Sequence, residues 1–134
     1  MKYTITTIYI LLILVSCSSD SSNVENGESN NPDPIFPSDL NFDITIVGES
    51  SDFPNGDGSG DIICFASAAD AINYEFRFGS GYVIESQNGQ AQFSYSEPGL
   101  QSRTVYVYAY SVTGDYVSTS ISFDLYVDDQ GQST

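Results

Sequence analysis

Alternation of apolar and polar residues along the last two-thirds of the chain is the feature that most constrains its fold. The pattern is clearest in Thr104–Val112, where valine and alanine alternate with tyrosine, and it recurs in Tyr116–Val127. A period of two is typical of strands that bury one face, whereas a helix requires a period of 3.6. No window after the first seventeen residues has helical periodicity, so the sequence predicts an all-β domain.

Glycine, proline and asparagine divide this region into seven strands, which we expect at residues 42–48, 62–67, 72–78, 82–86, 91–95, 104–112 and 116–127. Turns are expected at Gly79-Ser80-Gly81 and Thr113-Gly114-Asp115, and Asn88-Gly89 predicts a two-residue hairpin. Seven short strands without helices indicate one antiparallel sandwich. Its inward residues are expected to be Ile44, Ile46, Ile63, Phe65, Tyr74, Phe76, Phe78, Phe93, Val105, Val107, Ala109, Ile121, Phe123 and Leu125.

The first sixteen residues have the plan of a signal peptide that is removed on export. A basic start at Met1-Lys2 precedes the apolar run Ile8–Val15, which is too short for a permanent membrane span of roughly 20 residues. The following Leu14-Val15-Ser16-Cys17 resembles the lipobox of bacterial lipoproteins. That resemblance implies a covalent lipid on Cys17, which would attach the exported chain to a membrane.

Residues 17–39 are predicted to be a disordered acidic tether. Serine, asparagine, aspartate, glutamate and proline dominate this segment, and it contains too little apolar surface to offset the entropy of ordering. Asp20, close to Cys17, resembles the acidic signals that direct lipoproteins to the outer face of the outer membrane in some polysaccharide-degrading bacteria. A solvated linker is the alternative. The sandwich is expected to span residues 40–127, and residues 128–134 form a polar tail.

The charge and residue composition exclude several classes of function. With 18 acidic and 3 basic residues, the formal charge is −15, which disfavours nucleic-acid binding because phosphates require clustered cations. The chain has no histidine to act as a general base. Its acidic residues also lack the spacing of the catalytic carboxylates of family-16 glycosidases, so we expect no catalytic residues and no enzyme. If Cys17 carries the lipid, Cys64 has no disulfide partner and is expected to be a buried hydrophobe.

Several strand and turn segments resemble PKD domains, bacterial relatives of the immunoglobulin-like sandwich. The resemblance rests on Asn55–Gly60, Ala66–Ala71, Tyr74–Gly81, Phe93-Ser94-Tyr95 with Pro98-Gly99, and Val105–Ala109. Arg77 and Ser80 depart from the acidic residues that are common in the family's turn. The resemblance implies a non-catalytic module. Similar modules, preceded by a lipobox and a tether, stand at the front of family-16-type glycan-degrading enzymes.

The connection between the first two strands is a candidate calcium loop. Asn55, Asp57 and Ser59 place oxygen atoms at alternate positions before a glycine, as in the first half of an EF-hand loop. Asp52 and Asp61 could add charge in a different geometry, but Ala66 stands where the twelfth-position glutamate would be required. The alternative is a glycine-rich connection whose polar side chains cap the loop backbone.

A second candidate site is an aromatic interaction face. If Val105 and Val107 point inward, Tyr106, Tyr108 and Tyr110 point outward along one strand, beside Arg77. Exposed tyrosines suit a neighbouring surface protein or domain, the flat face of a polysaccharide, or cross-strand pairs that only stabilise the sheet.

The sequence therefore suggests three functions. The first is a surface-anchored spacer or protein- or glycan-interaction module in a polysaccharide-handling system. The second is a direct carbohydrate-binding module, and the third is the N-terminal fragment of a larger secreted glycoside hydrolase.

Overall fold

A computed structural model of the chain describes residues 31–129, and the compact unit that contains its strands begins at Asp33. The strands are β1 (Ser38–Ile46), β2 (Asp61–Ala69), β3 (Asn73–Arg77), β4 (Val83–Ser86), β5 (Gln90–Ser94), β6 (Gly99–Tyr110) and β7 (Tyr116–Val127). The predicted all-β fold with seven strands is confirmed. Within the described range, no helix is long and apolar enough to cross a membrane.

The strands form two sheets in which every neighbouring pair is antiparallel. One sheet has the order β1-β2-β5 and the other β4-β3-β6-β7. β6 and β7 pair without a register shift from Gly99↔Val127 to Tyr110↔Tyr116. The turns at residues 79–81 and 113–115 join neighbouring strands of the second sheet, as predicted. This sheet therefore presents a long, regular outer surface.

The core lies between the two sheets. Its largest fully buried side chains are Phe76, Ile62, Leu125, Val105, Val107 and Cys64. Phe42 crosses from the first sheet to place its ring 6.0 Å from that of Phe76. Burying one such side chain contributes about 1.5–3 kcal/mol to folding. The alternating residues of β3 and β6 thus hold the sheets together through their inner faces.

The prediction for the inner face of β2 is wrong by one residue. Ile62 and Cys64 are fully buried, whereas Ile63 is only partly buried and Phe65 is exposed on the opposite face. Paired residues of antiparallel strands share a face, and Ile62 pairs with the inward Ile46. Because residues 62–66 are apolar on both faces, their pattern alone does not determine which alternate set points inward.

The hairpin predicted at Asn88-Gly89 is also wrong. This segment joins β4 to β5, which belong to different sheets, so it crosses from one layer to the other. The carbonyl oxygen of Gly89 accepts a hydrogen bond of 2.8 Å from the amide of Ala66. Gly89 has a φ of +75°, and a Cβ there would overlap the backbone of Ala66. The glycine is required for this close approach, not for a hairpin.

The segment before the sandwich makes contacts with it earlier than the expected boundary at Leu40. β1 begins at Ser38, and Pro37 is buried. The amide of Ile35 donates a hydrogen bond of 3.0 Å to Oγ1 of Thr113, in the turn between β6 and β7. The predicted signal peptide, Cys17 and most of the predicted tether and polar tail lie outside the described residues.

Candidate functional site

Four tyrosines lie on the outer surface of the four-stranded sheet, and we call this surface the tyrosine face: Tyr106, Tyr108, Tyr110 and Tyr116. The first three lie on β6 and point away from the core, opposite the inward Val105, Val107 and Ala109. Tyr116, which sequence reasoning did not include, pairs with Tyr110 across the β6–β7 turn. The predicted turn at residues 113–115 would have been sufficient to place it there.

Three of the four rings of the tyrosine face, those of Tyr108, Tyr110 and Tyr116, contact one another. The ring centroids of Tyr108 and Tyr110 are 6.5 Å apart, and the ring of Tyr116 lies 5.6 Å from Tyr108 and 5.4 Å from Tyr110. Tyr106 is 49% exposed and Tyr116 is 50% exposed, while the two rings between them are half-buried. Such pairs orient each other, so the surface is ordered before any partner arrives.

Arg77 lies on β3, the strand beside the tyrosines. Its Cζ is 4.3 Å from the ring centroid of Tyr108, and its Nε is 2.5 Å from Oε1 of Glu75. The hydrogen bond to Glu75 raises the pKa of Arg77. Burial, and next the charge of Glu75, raise the pKa of Tyr110. The sheet register thus brings together all four residues that the sequence singled out for this face.

The β1–β2 connection holds the candidate calcium ligands in hydrogen bonds within the protein. The amide of Ser59 donates to Oδ1 of Asp57 at 3.0 Å, and the amide of Asp61 donates to Oγ of Ser59 at 3.3 Å. The hydroxyl of Ser94 donates to the carboxylate of Asp61. Hydrogen bonds from the Ser59 side chain and backbone lower the pKa of Asp57.

The other two candidates in this loop have different surroundings. Asp52 is exposed, and the carbonyl oxygen of Asn55 accepts a hydrogen bond from the amide of Tyr126. Within residues 31–129, no group of three or more Asp, Glu, His or Cys side chains is arranged to hold a metal ion. Calcium binding by Asp52, Asn55, Asp57, Ser59 and Asp61 stays a prediction.

Of the two cysteines, the structure describes only Cys64. Cys64 is fully buried in the core, and burial raises the pKa of its thiol to about 12. A thiol with that pKa is protonated at neutral pH and is a poor nucleophile. Cys17 lies outside the described residues, so its lipidation stays a prediction.

A pocket that the sequence did not reveal lies at the other end of β6. Its lining is Ser80, Tyr82, Phe93, Ser94, Tyr95, Ser96, Glu97 and Arg103, and its volume is about 400 Å³. Three separate segments contribute to it: the β3–β4 turn, the end of β5 with the loop that follows, and β6. The strand pattern contains one signal for it, since Arg103 falls two residues before the inward Val105.

The fold is similar to that of solved PKD domains. The PKD1 domain of the metalloprotease PrtV of Vibrio cholerae matches with a TM-score of 0.52 and 14% identity, over 69% of this chain and 100% of that domain. The PKD1 domain of Epp of Vibrio anguillarum matches with a TM-score of 0.49 and 20% identity, over 69% of this chain and 96% of that domain. No protein-family model and no curated protein matches the sequence. The chain therefore has a PKD-like, immunoglobulin-like sandwich fold.

Proposed function

We propose that this chain is a non-catalytic, surface-displayed module that binds another protein of a polysaccharide-handling system through the tyrosine face. The observation that carries the proposal is the ordered cluster of Tyr108, Tyr110 and Tyr116 with Arg77 stacked against it. Tyr106 lies opposite Arg77 on the same sheet and extends this surface with a half-exposed ring. Tyrosine and arginine are enriched where proteins bind one another, because they supply large contact areas together with hydrogen-bond donors.

The chemistry around the cluster supports a protein partner. On β7, the residues opposite Tyr108 and Tyr106 are Ser118 and Ser120, which are small, exposed and uncharged. The surface is a wide sheet face, and large flat contact areas are typical of protein interfaces, whereas small ligands require concave sites.

Display on the cell surface is the other part of the proposal. The lipobox-like Leu14–Cys17 supports lipid attachment, and the polar segment that follows supports a linker between the lipid and the sandwich. Feeding cells radiolabelled palmitate tests this directly. We expect the label on the wild-type protein and none on Cys17→Ala, which should appear in the medium. An unlabelled wild-type protein would contradict surface anchoring.

Site-specific photo-crosslinking in living cells tests the binding face. A photoreactive phenylalanine analogue at Tyr106 is expected to form an adduct with one defined surface protein. The matched control carries the analogue at Thr45, which is exposed on the other sheet. Adding Tyr108→Ser and Tyr110→Ser to the Tyr106 variant should abolish the adduct. Equal adducts from both positions, or none from Tyr106, would refute the proposal.

A direct carbohydrate-binding module is the second candidate. It is favoured by the half-exposed rings of Tyr106 and Tyr116, since flat sugar faces stack on exposed aromatic rings. A glycan array and pull-down on insoluble glycans, each with and without calcium, compare wild-type protein with a combined Tyr106→Ser, Tyr108→Ser and Tyr110→Ser variant. Glycan binding that the triple variant retains would exclude this face as the carbohydrate site.

A further inference from the structure

Arg103 occupies an unusual place for a charged residue. It lies on β6 with the same parity as Val105 and Val107, so its side chain enters the space between the sheets at one end of the core. Its partner across the ladder is Phe123, which packs against the core. Only 16% of the Arg103 side chain is exposed. The sequence contains just two arginines, so one of them is committed to this end of the sandwich.

The contacts of the guanidinium group leave one of its edges without a partner. Nη1 of Arg103 lies 2.9 Å from Oε2 of Glu97, and Cζ lies 4.6 Å from the ring centroid of Tyr95. Nε and Nη2 are buried and have no hydrogen-bond partner among the residues described. These two nitrogens form the side of the guanidinium that binds a carboxylate through two parallel hydrogen bonds. Unpaired buried donors are costly, so a ligand that pairs them gains the corresponding energy.

An aromatic wall stands beside this group. The ring of Phe93 is stacked on that of Phe78, with centroids 4.4 Å apart and planes 7° apart. Tyr95 meets the same ring edge-on at 4.8 Å, and its hydroxyl donates to the carbonyl of Phe78. Tyr82, which is 61% exposed, lies 5.3 Å from Phe93 at the mouth of the pocket. The wall is fixed by the core, while its outermost ring is free to meet a ligand.

We propose that this pocket binds a saccharide unit that carries a carboxylate, such as a hexuronic acid. The carboxylate takes the Nε and Nη2 edge of Arg103, the sugar ring stacks on Tyr82, and the sugar hydroxyls meet Ser80 and Ser96. The hydroxyls of Ser80 and Ser96 have no hydrogen-bond partner within residues 31–129. The pocket has the combination of aromatic surface and a few directed polar groups that is typical of small-ligand sites.

Glu97 opposes the ligand by its charge, because it binds Nη1 beside the Nε and Nη2 edge that the ligand carboxylate takes. Its carboxylate already contacts the guanidinium, which indicates that this position accepts a carboxylate, yet its side chain is 68% exposed. Because Glu97 contacts only Nη1, a ligand carboxylate can bind Nε and Nη2 without breaking this ion pair. Nε and Nη2 are enclosed, so a ligand reaches them only when side chains that line the pocket move, and Glu97 and Tyr82 are its exposed long side chains.

The aromatic wall argues for a saccharide and against an acidic peptide, because a glutamate peptide has no flat, apolar-faced ring to stack on Tyr82. One arginine with an aromatic wall suits a single carboxylate on an apolar-faced ring. The pocket and the tyrosine face share no residue, so either site can fail without affecting the evidence for the other.

The soluble mature chain with Cys17→Ser is the protein for the test, and a galacturonic acid trisaccharide is the probe. Because there are only two arginines, their Nε–H signals in nitrogen–proton NMR spectra report each site separately. We expect the probe to shift the Arg103 signal and leave the Arg77 signal in place. The neutral galactose trisaccharide, acetate and a triglutamate peptide are expected to bind at least about tenfold more weakly.

Variants with opposite effects make the test specific. Arg103→Lys keeps the charge but loses the two parallel donors, and should weaken binding at least about tenfold. Glu97→Gln removes the negative charge that repels the ligand carboxylate and should strengthen binding about two- to fivefold. Tyr82→Ala should weaken binding several-fold, and Thr45→Ala, at an exposed position of the other sheet, should leave it unchanged. Glu97→Gln and Tyr82→Ala change exposed side chains, so they decide the matter even if Arg103→Lys fails to fold.

Three results would overturn the proposal. The first is the absence of binding of the acidic trisaccharide, or binding that Arg103→Lys leaves unchanged. The second is equal binding of the neutral trisaccharide or of acetate. The third is equal binding of the triglutamate peptide, which would assign the pocket to acidic polypeptides.

Discussion

Both arginines of the chain lie against a tyrosine ring, but in regions of very different depth. Arg77 and Tyr108 meet at 4.3 Å on the outer surface of the four-stranded sheet, and Arg103 and Tyr95 meet at 4.6 Å at the end of the core. Side-chain exposure is 48% for Arg77 and 16% for Arg103. An arginine–tyrosine pair therefore lies on an open surface in one place and lines a pocket in the other.

The glutamate beside each arginine shows how burial changes which guanidinium nitrogens have partners. Glu75 binds Nε of Arg77, whereas Glu97 binds only Nη1 of Arg103 and leaves the adjacent nitrogens enclosed without partners. On the surface, water can satisfy any donor that the protein does not. In the pocket the protein or a ligand must do so, which is why the deeper arginine is the stronger candidate for specific recognition.

The largest difference between the two regions should be in stability. Tyr95→Ala removes a buried ring and its hydrogen bond to Phe78, and is expected to lower the free energy of unfolding by about 3–5 kcal/mol. Tyr106→Ala removes a half-exposed ring and should cost about 0.5 kcal/mol or less. Urea denaturation of both variants gives the comparison. Equal losses would show that the tyrosine face is part of the structural core.

Two glycines extend the comparison to the backbone. Gly60 has a φ of +79°, and an added Cβ would overlap the carbonyl oxygen of Tyr95. Gly114, in the turn beside the tyrosine face, has a φ of +89° and open space around it. We expect Gly60→Ala to lower the free energy of unfolding by about 2–3 kcal/mol and Gly114→Ala by about 1 kcal/mol. Thermal unfolding measures both, and a greater loss for Gly114→Ala would contradict this picture of the packing.

Alkaline pH should lower the free energy of unfolding through two buried titratable groups, Cys64 and Tyr95. Burial raises the pKa of Cys64 from 9.0 to about 12 and that of Tyr95 from 10.0 to about 12. Both groups are protonated and neutral in the fold, so their contribution is complete below pH 9 and is lost as the pH rises to 12. Each group can cost at most about 1.4 kcal/mol per pH unit. Urea denaturation from pH 8 to 12 should show this decline, less steeply in Tyr95→Phe. A flat wild-type profile would contradict it.

The smallest effects concern the arginines themselves. Arg103→Met should raise the free energy of unfolding by about 1 kcal/mol, because it replaces two unpartnered buried donors by an apolar chain of similar length. Arg77→Met removes only surface contacts and should change it by less than about 0.5 kcal/mol. Urea denaturation provides the measurement. A loss of 2 kcal/mol or more, about the cost of breaking a buried pair, would mean that Arg103 stabilises the fold.

The strand pattern was sufficient to predict the fold because the alternation in β6 and β7 leaves only one set of side chains apolar enough to face the core. Valine and alanine at odd positions of β6 must face inward, which places Tyr106, Tyr108 and Tyr110 on the outer surface and predicts the tyrosine face. Residues 62–66 carry apolar side chains on both faces, and there the inner face depends on the pairing of Ile62 with Ile46. That pairing is a property of the folded sheet and not of the local sequence.

The pocket could not be predicted from the sequence for a similar reason. Tyr82, Tyr95 and Arg103 belong to segments that meet only after β4 and β5 have joined different sheets. A local hairpin at Asn88-Gly89 would have kept β4 beside β5 and arranged these residues differently. The correct connection required knowledge that Gly89 approaches the backbone of Ala66.

The path of the chain gives the sandwich a direction. The chain enters the sandwich at Ile35, which lies beside Thr113 in the β6–β7 turn. It leaves at Val127, the last residue of the twelve-residue strand β7, which pairs with Gly99. At about 3.3 Å per residue, the two ends of β7, Tyr116 and Val127, are separated by about 36 Å. The chain therefore enters and leaves the sandwich at opposite ends of its long axis. Arg103, four residues from Gly99 on β6, lies nearer the exit.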